Sequence, residues 1–404
     1  MSSNSYSEKL YQSAQDSKDL PAPGDLAQQH SEKLISLIKT EIDNNDGAIS
    51  FKRYMDLALY APGLGYYTAG SAKLGEEGDF ITAPEISPLF SQSLANSILP
   101  ALDKEQIILE VGAGRGRMAA DILVYLQQRN KLPKEYWILE LSADLRERQK
   151  KTIVDTVPEF LEKVKWLDAL PEEFSGIVVA NELLDALPIQ LFQKTENDIN
   201  EINVTWKNDK FDFQVQSSFD KKLVSRVRDI ESQMGVEFNS GYMSEVNLAA
   251  EDWIKSIAEK LKQGIIILVD YGFPRHEYYH EQRSEGTLMC HYRHRTHPNP
   301  FIYPGLQDIT SHVDFTAMAD AALEANMKVI GYTNQASFLM GAGLIELAEV
   351  SEDDDLQKKM EIASQIKKLT LPHEMGELFK VIGFSKNYDA SLPAFSFRDL
   401  REYL

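Results

Sequence analysis

A chain of 404 residues, 43% of them hydrophobic, can bury one large core or two smaller ones. A formal net charge of −20 argues against nucleic acid or an anionic membrane as partner and leaves a cationic substrate admissible. The single cysteine, Cys290, excludes an intrachain disulfide and suits a reducing cytoplasm, and no apolar run is long enough for membrane insertion.

Residues 1–24 show neither a presequence pattern nor a secretory leader and read as a disordered N-terminus ending at Pro21-Ala-Pro-Gly24. Leu34, Ile35, Leu37, Ile38 and Ile42 recur at helical spacing, and residues 49–67 predict a second helix running into a loop at Ala61-Pro-Gly-Leu-Gly65. A Gly- and Pro-bearing loop over 73–88 and a helix to Leu99 complete an N-terminal helical cap over 25–104. From there the pattern alternates. Strands are predicted at 107–111, 136–140, 164–167, 176–181 and 265–270, with helical stretches between most of them. That is a doubly wound, mostly parallel α/β sheet, its core made by 105–188 and 246–270. Residues 189–245 interrupt it as a β-rich insertion with short antiparallel strands at 191–192, 202–206 and 211–215. Residues 271–325 form a further insertion. In 326–404, strands at 328–332 and 378–384 complete the sheet.

The chemistry starts at Ile107-Ile-Leu-Glu-Val-Gly-Ala-Gly-Arg-Gly-Arg117. An apolar run carries an acid, Glu110, then breaks into glycines at Gly112, Gly114 and Gly116 before a helical pattern: strand, Gly-rich turn, helix. A dinucleotide fingerprint would put its third glycine where Arg117 stands, which disfavours a nicotinamide-dependent oxidoreductase. The spacing resembles motif I of class I S-adenosylmethionine methyltransferases. The glycines let backbone pass close to the adenosyl and methionyl parts of such a cofactor, and its ammonium and ribose hydroxyls call for acceptors.

Glu140 ends the second strand 24 residues after Gly116, where a carboxylate accepts ribose hydroxyls, and the spacing favours that role over an acid leading a helix before Ser142. Asp168, after the third strand, suits the adenine amino group or a helix cap. The fourth strand delivers Asn181-Glu182-Leu-Leu-Asp185 to the edge where open α/β sheets bind ligands. Glu182 and Asp185 are the catalytic candidates. One helical turn would put both on one face, and paired carboxylates suit a guanidinium acceptor. The competing reading makes Asn181 an N-cap and Glu182 a first-turn acid.

Residues 271–314 hold six of the eight histidines: His276, His280, His291, His294, His297 and His312. Cys290-His291-x-x-His294-x-x-His297 has metal-ligand types, but one cysteine and an irregular loop with Pro298 and Pro304 favour a metal-free lid over 271–325.

Six segments together resemble the MidA-like methyltransferases, a family that includes the mitochondrial complex I assembly factor that methylates an arginine. They are Tyr60-Ala-Pro-Gly-Leu-Gly-Tyr-Tyr67, Gly78-Asp-Phe-Ile-Thr-Ala-Pro-Glu-Ile86, the turn after Glu110, Ala180-Asn-Glu-Leu-Leu-Asp-Ala-Leu-Pro188, Gly286-Thr-Leu-Met-Cys-His-Tyr-Arg-His-Arg295 and Asp308-Ile-Thr-Ser-His-Val-Asp-Phe-Thr316. The chain departs from the pattern at Ala113, where Pro is common, and at Leu183-Leu184, where aromatics are expected. The resemblance implies the class I fold and S-adenosyl-L-methionine as cofactor, with Gly78, Thr82, Pro84 and Asn181 joining the cofactor-binding residues. It further implies arginine methylation of a protein substrate, a respiratory complex I subunit. A homodimer stays open. Two rivals keep the fold: methylation of a small molecule, and a non-catalytic assembly chaperone.

Overall fold

Apolar runs buried on both faces form the parallel strands of the larger sheet, as they do where helices cover each side. The computed structural model, which describes residues 20–69, 82–218, 220–348, 355–389 and 391–404, contains in this sheet β1 (Ile107–Val111), β2 (Glu135–Leu139), β3 (Val164–Leu167), β4 (Phe174–Asn181), β5 (Leu261–Phe273), β6 (Lys328–Asn334) and β7 (Phe379–Lys386). Their order across the sheet is β3-β2-β1-β4-β5-β7-β6. Pairing along it is parallel except at β7, which runs antiparallel to both β5 and β6. The predicted strands lie at these places; β5 is much longer than its predicted span of 265–270.

Two helices connect the first three strands: α1 (Arg117–Gln128) and α2 (Ala143–Thr156), the latter capped by Ser142 Oγ accepting from Leu145 N. Ile122, Leu123 and Leu126 of α1 join Ile108, Tyr136, Ile138, Ile177 and Ile267 in one buried cluster. The sheet belongs to a compact unit of residues 81–183, 251–274 and 315–404. Its register decides where the site can be. Val111 stands opposite both Leu139 and Ala180, and Asn181 opposite Val269. Gly112, Glu140, Glu182 and Asp270 therefore lie at one edge, beside the point between β1 and β4 where strand order reverses and open sheets hold ligands.

The second unit takes the described residues 20–69, then 184–250 and 275–314. Its core gathers Leu34 and Ile38 of the helix Asp25–Asn44, Tyr54 and Met55 of the helix Phe51–Tyr60, and Ile202, Val204, Cys290 and Ile309. The helix expected ahead of the loop at Ala61–Gly65 is Phe51–Tyr60. A strand, Ala48–Ser50, precedes it, Ser50 Oγ caps it by accepting from Arg53 N, and Ala61 is extended because Pro62 follows. The β-rich insertion is an antiparallel sheet of Gln190–Lys194, Ile199–Lys207, Lys210–Ser217 and Met243–Val246, onto which Ala48–Ser50 also pairs.

The histidine-bearing segment is more regular than a loop. Met289–Tyr292 pairs with Arg295–His297 and with Asp308–Thr310, and Cys290 lies opposite His297. Arg293 and His294 make the hairpin turn with φ of 48° and 60°, the left-handed pair a two-residue turn demands. Burial pushes His291 and His297 down to about 4, so both are neutral near pH 7. Among the described residues no group of three or more His, Cys, Asp or Glu is arranged to hold a metal, and no helix is long and apolar enough to cross a membrane.

Candidate active site

The glycine-rich turn has an alternating backbone requirement. Gly112, Gly114 and Gly116 have φ of 71°, 51° and 81°, all left-handed, where a side chain is strained. A Cβ on Gly114 would meet no atom within 4 Å, whereas one on Gly116 would stand 3.1 Å from Gln149 Cα. Gly114 thus keeps the turn open to a ligand, a Cβ on Gly112 would meet Leu183 Cδ1 at 3.4 Å, and Gly116 lets α2 pack close.

Glu110 is only 1% exposed and accepts a hydrogen bond from Tyr136 Oη at 2.7 Å. Burial pushes its carboxyl up to about 7; the Tyr136 bond opposes this and the nearby Glu140 charge adds to it. Glu110 lies inside the sheet rather than on the open face of the turn. Glu140 is also buried. Its Oε1 accepts from Ser142 N (2.9 Å) and its Oε2 from Gln149 Nε2 (3.0 Å). Burial raises its pKa, while these donors favour the charged form. The carboxylate does serve the main chain ahead of α2, yet it also stands at the ligand edge of the sheet.

Asp168 caps no helix, since only turns separate β3 from β4. Its carboxylate, 91% exposed, pairs with Arg146 Nη1 at 2.7 Å, and Arg146 also donates to the carbonyls of Glu140 and Leu167. Leu141, beside Glu140, is 74% exposed, an apolar surface at the same edge that the sequence did not single out.

The helical turn predicted after β4 does not form: residues 182–188 are turns and extended chain, which removes both the shared helical face and the capping reading. Instead Glu182 takes a left-handed φ of 52°. Its N–H donates to Val269 O at 2.9 Å, and the next N–H, of Leu183, donates to Asp270 Oδ2 at 3.1 Å. Asn181 Nδ2 donates to Glu182 Oε1 at 2.9 Å. Asp270, buried at the end of β5, was missed in the sequence. Its signal is an acid closing an apolar strand in Leu268-Val-Asp-Tyr-Gly272, much as Glu110 does in β1. Asp185 belongs to the second unit, where it is buried and its carbonyl accepts from Ser311 N at 3.0 Å. Nearby in that unit, Tyr67 donates to both oxygens of Asp308 (2.9 and 2.8 Å), and burial, then Asp308, holds the Tyr67 phenol well above its ordinary range. Thr82 precedes the short helix Ala83–Ile86, with Pro84 buried in its first turn; Gly78 lies outside the described residues.

These groups fit a ligand bearing an ammonium and vicinal hydroxyls. Asn181 Oδ1 is shut off from water and has no donor among the described residues. An acceptor in that state costs stability until something donates to it. Glu140 supplies a carboxylate, and the open turn supplies main chain.

The reversed seventh strand, the left-handed glycine turn and the acid closing β2 define a class I S-adenosylmethionine-dependent methyltransferase. The chain belongs to an S-adenosyl-L-methionine-dependent methyltransferase family whose model matches residues 93–333. It is 28% identical over 365 residues to the Danio rerio protein arginine methyltransferase NDUFAF7, mitochondrial, covering 83% of this chain and 82% of that protein. The Homo sapiens protein of that name is 27% identical over 382 residues, covering 86% and 80%. A crystal structure from Burkholderia thailandensis with S-adenosyl-homocysteine bound is 42% identical, with a TM-score of 0.90, and the match covers 96% of this chain and 100% of that one. S-adenosylmethionine is the cofactor.

Two outcomes follow from this geometry. Gly114→Val adds a branched side chain where the fold has room but the ligand needs it, so calorimetry should find a folded protein that no longer binds S-adenosyl-homocysteine. Retained affinity would take Gly114 out of the site. The second outcome concerns Glu110, whose folded pKa of about 7 exceeds its ordinary 4.5. The native state then holds the proton more tightly. The stability contributed by this group is full below pH 4.5 and is lost as pH rises through about 7, roughly 3 kcal/mol in all. Urea unfolding without cofactor should show Glu110→Gln escaping that loss between pH 5 and pH 8. Parallel pH dependence in variant and wild type would contradict it.

Proposed function

We propose that this chain methylates a guanidinium nitrogen of an arginine in a protein substrate, with Glu182 orienting that nitrogen and accepting its proton. The observation that supports this is the left-handed backbone of Glu182. A glycine would hold φ of 52° without strain, yet an ionisable residue stands there at the sheet edge, and strain of that kind concentrates at functional sites. The NDUFAF7 relatives carry protein arginine methyltransferase in their names.

Bound S-adenosylmethionine supplies an electrophilic methyl carbon. The chain's residues must then bring a poor nucleophile to it, because arginine stays protonated at any physiological pH. A carboxylate hydrogen-bonded to the guanidinium fixes one nitrogen in line, and takes its proton as that nitrogen is alkylated. Positioning supplies most of the rate. Gly112 and Gly114 would run beneath the cofactor, Glu140 would take its ribose hydroxyls and Asn181 Oδ1 its ammonium. Asp168 would meet the adenine amino group, and Glu110, Thr82, Pro84 and Gly78 would support the same site. Asp185 is assigned as the second carboxylate toward the acceptor. The MidA-like resemblance extends the proposal to a respiratory complex I subunit as substrate, met in the cytoplasm.

Labelled-methyl transfer into a lysate lacking this protein, followed by mapping of the modified residue, tests the reading. Methylarginine is the expected product; label on another residue type, or only on small molecules, rejects arginine. With that substrate in hand, Glu182→Gln should keep cofactor affinity and slow single-turnover transfer by on the order of 10²-fold, with a smaller loss in Asp185→Asn. Transfer at the wild-type rate in Glu182→Gln would deny the carboxylate a chemical role.

A further inference from the structure

We infer that Gln149 is a positioning residue of the cofactor site: its side-chain amide ties the glycine-rich turn to Glu140 and makes the two a single preset receptor for the adenosyl group. Gln149 sits on α2 and is wholly buried. Its Nε2 donates to Gly114 O and to Glu140 Oε2, each at 3.0 Å, and its Oε1 accepts from Trp166 Nε1 at 3.0 Å. A primary amide has two N–H donors and one carbonyl, and here each has a partner. The indole can only donate and the Gly114 carbonyl can only accept, so a flipped amide would lose all three bonds. The orientation is therefore fixed from β3, and it fixes in turn the turn after β1 and the acid after β2. Gly116 permits this, since a Cβ there would press on Gln149 Cα at 3.1 Å.

The inference rests on Glu140 as the ribose acceptor, and it makes a prediction about protons. Only an ionised carboxylate offers all its lone pairs to hydroxyl donors. The charged groups around Glu140 are Glu110 on β1, Arg146 on α2, and Asp168 after β3, which pairs with Arg146. Burial favours the protonated acid, whereas Arg146 and the donors Ser142 N and Gln149 Nε2 favour the anion. Taking away the Gln149 donor should therefore make ligand binding fail at a higher pH on the acid side.

Calorimetric titration of the full chain with S-adenosyl-homocysteine between pH 5 and pH 9 reads this out. Gln149→Met preserves bulk and removes every polar partner. It should bind about tenfold more weakly near pH 7.5, with the acid loss moved upward in pH. Gln149→Glu should behave in the opposite sense. Its carboxyl shares a proton with Glu140 at low pH and so keeps a donor, then repels it as pH rises, so binding is lost on the alkaline side. Trp166→Phe frees the amide to flip and should weaken binding several-fold. Wild-type affinity in Gln149→Met, or uniform weakening of both Gln149 variants with no change of pH profile, would overturn the inference. If Gln149→Met does not fold, the alkaline loss in Gln149→Glu decides alone. Glu140→Gln separates the premise: wild-type affinity there rejects the ribose role of Glu140, and with it this inference. Loss there beside an unaffected Gln149→Met rejects Gln149 only.

Discussion

Parallel hydrogen bonding of β1 to its two neighbours sets everything the ligand edge can contain. Because Val111 is locked opposite Leu139 and Ala180, the glycine turn, Glu140 and Asn181 emerge at the same height. Side chains alternate along a strand, so a slip of β4 by a single residue would turn Asn181 over and bury the wrong face of Ile177 to Val179. Burial of both sheet faces makes such a slip costly. The apolar interior thereby sets the height at which the polar groups of the rim emerge.

That rim is unusual in how deeply it places its acids. Glu110, Glu140 and Asp270 are all nearly inaccessible, and each is met by donors: Tyr136 for the first, Ser142 N and Gln149 for the second, the main-chain N–H groups of Leu183 and Tyr271 for the third. Buried carboxyls without such partners would take up protons and lose their function as acceptors. At Glu140 the donors and Arg146 favour the anion against burial, at the edge where a sulfonium-bearing ligand must sit, whereas burial holds the Glu110 carboxyl up to about 7. The chain's overall charge of −20 is a weaker statement of the same preference, because surface acids are screened and these are not.

Much of the architecture was legible because doubly buried strands read as unbroken apolar runs and left-handed turns read as glycines. Where glycine did not mark the left-handed residue, the sequence misled. Glu182, Arg293 and His294 all take positive φ with full side chains, so a helical turn was expected at the first and an irregular loop around the other two. Glu140 could be placed by its distance from Gly116, but its partner Gln149 could not. Their bond joins a strand end to the second turn of a helix, and nothing local in Arg146-Glu-Arg-Gln149 distinguishes a bridging amide from a surface one. Asp270 was hidden for the same reason: its partner, Leu183 N, lies 87 residues away.

The left-handed Glu182 also bears on how such a protein would change under selection. A glycine at that position would relieve the backbone, and asparagine would ease it, so thermal stability and the glutamate pull in opposite directions. A population selected for heat resistance alone, with no demand on methylation, should drift away from glutamate there while leaving the core of β4 intact. On the proposed role of Glu182, residue choice at position 182 would then separate working enzymes from descendants that kept only the scaffold.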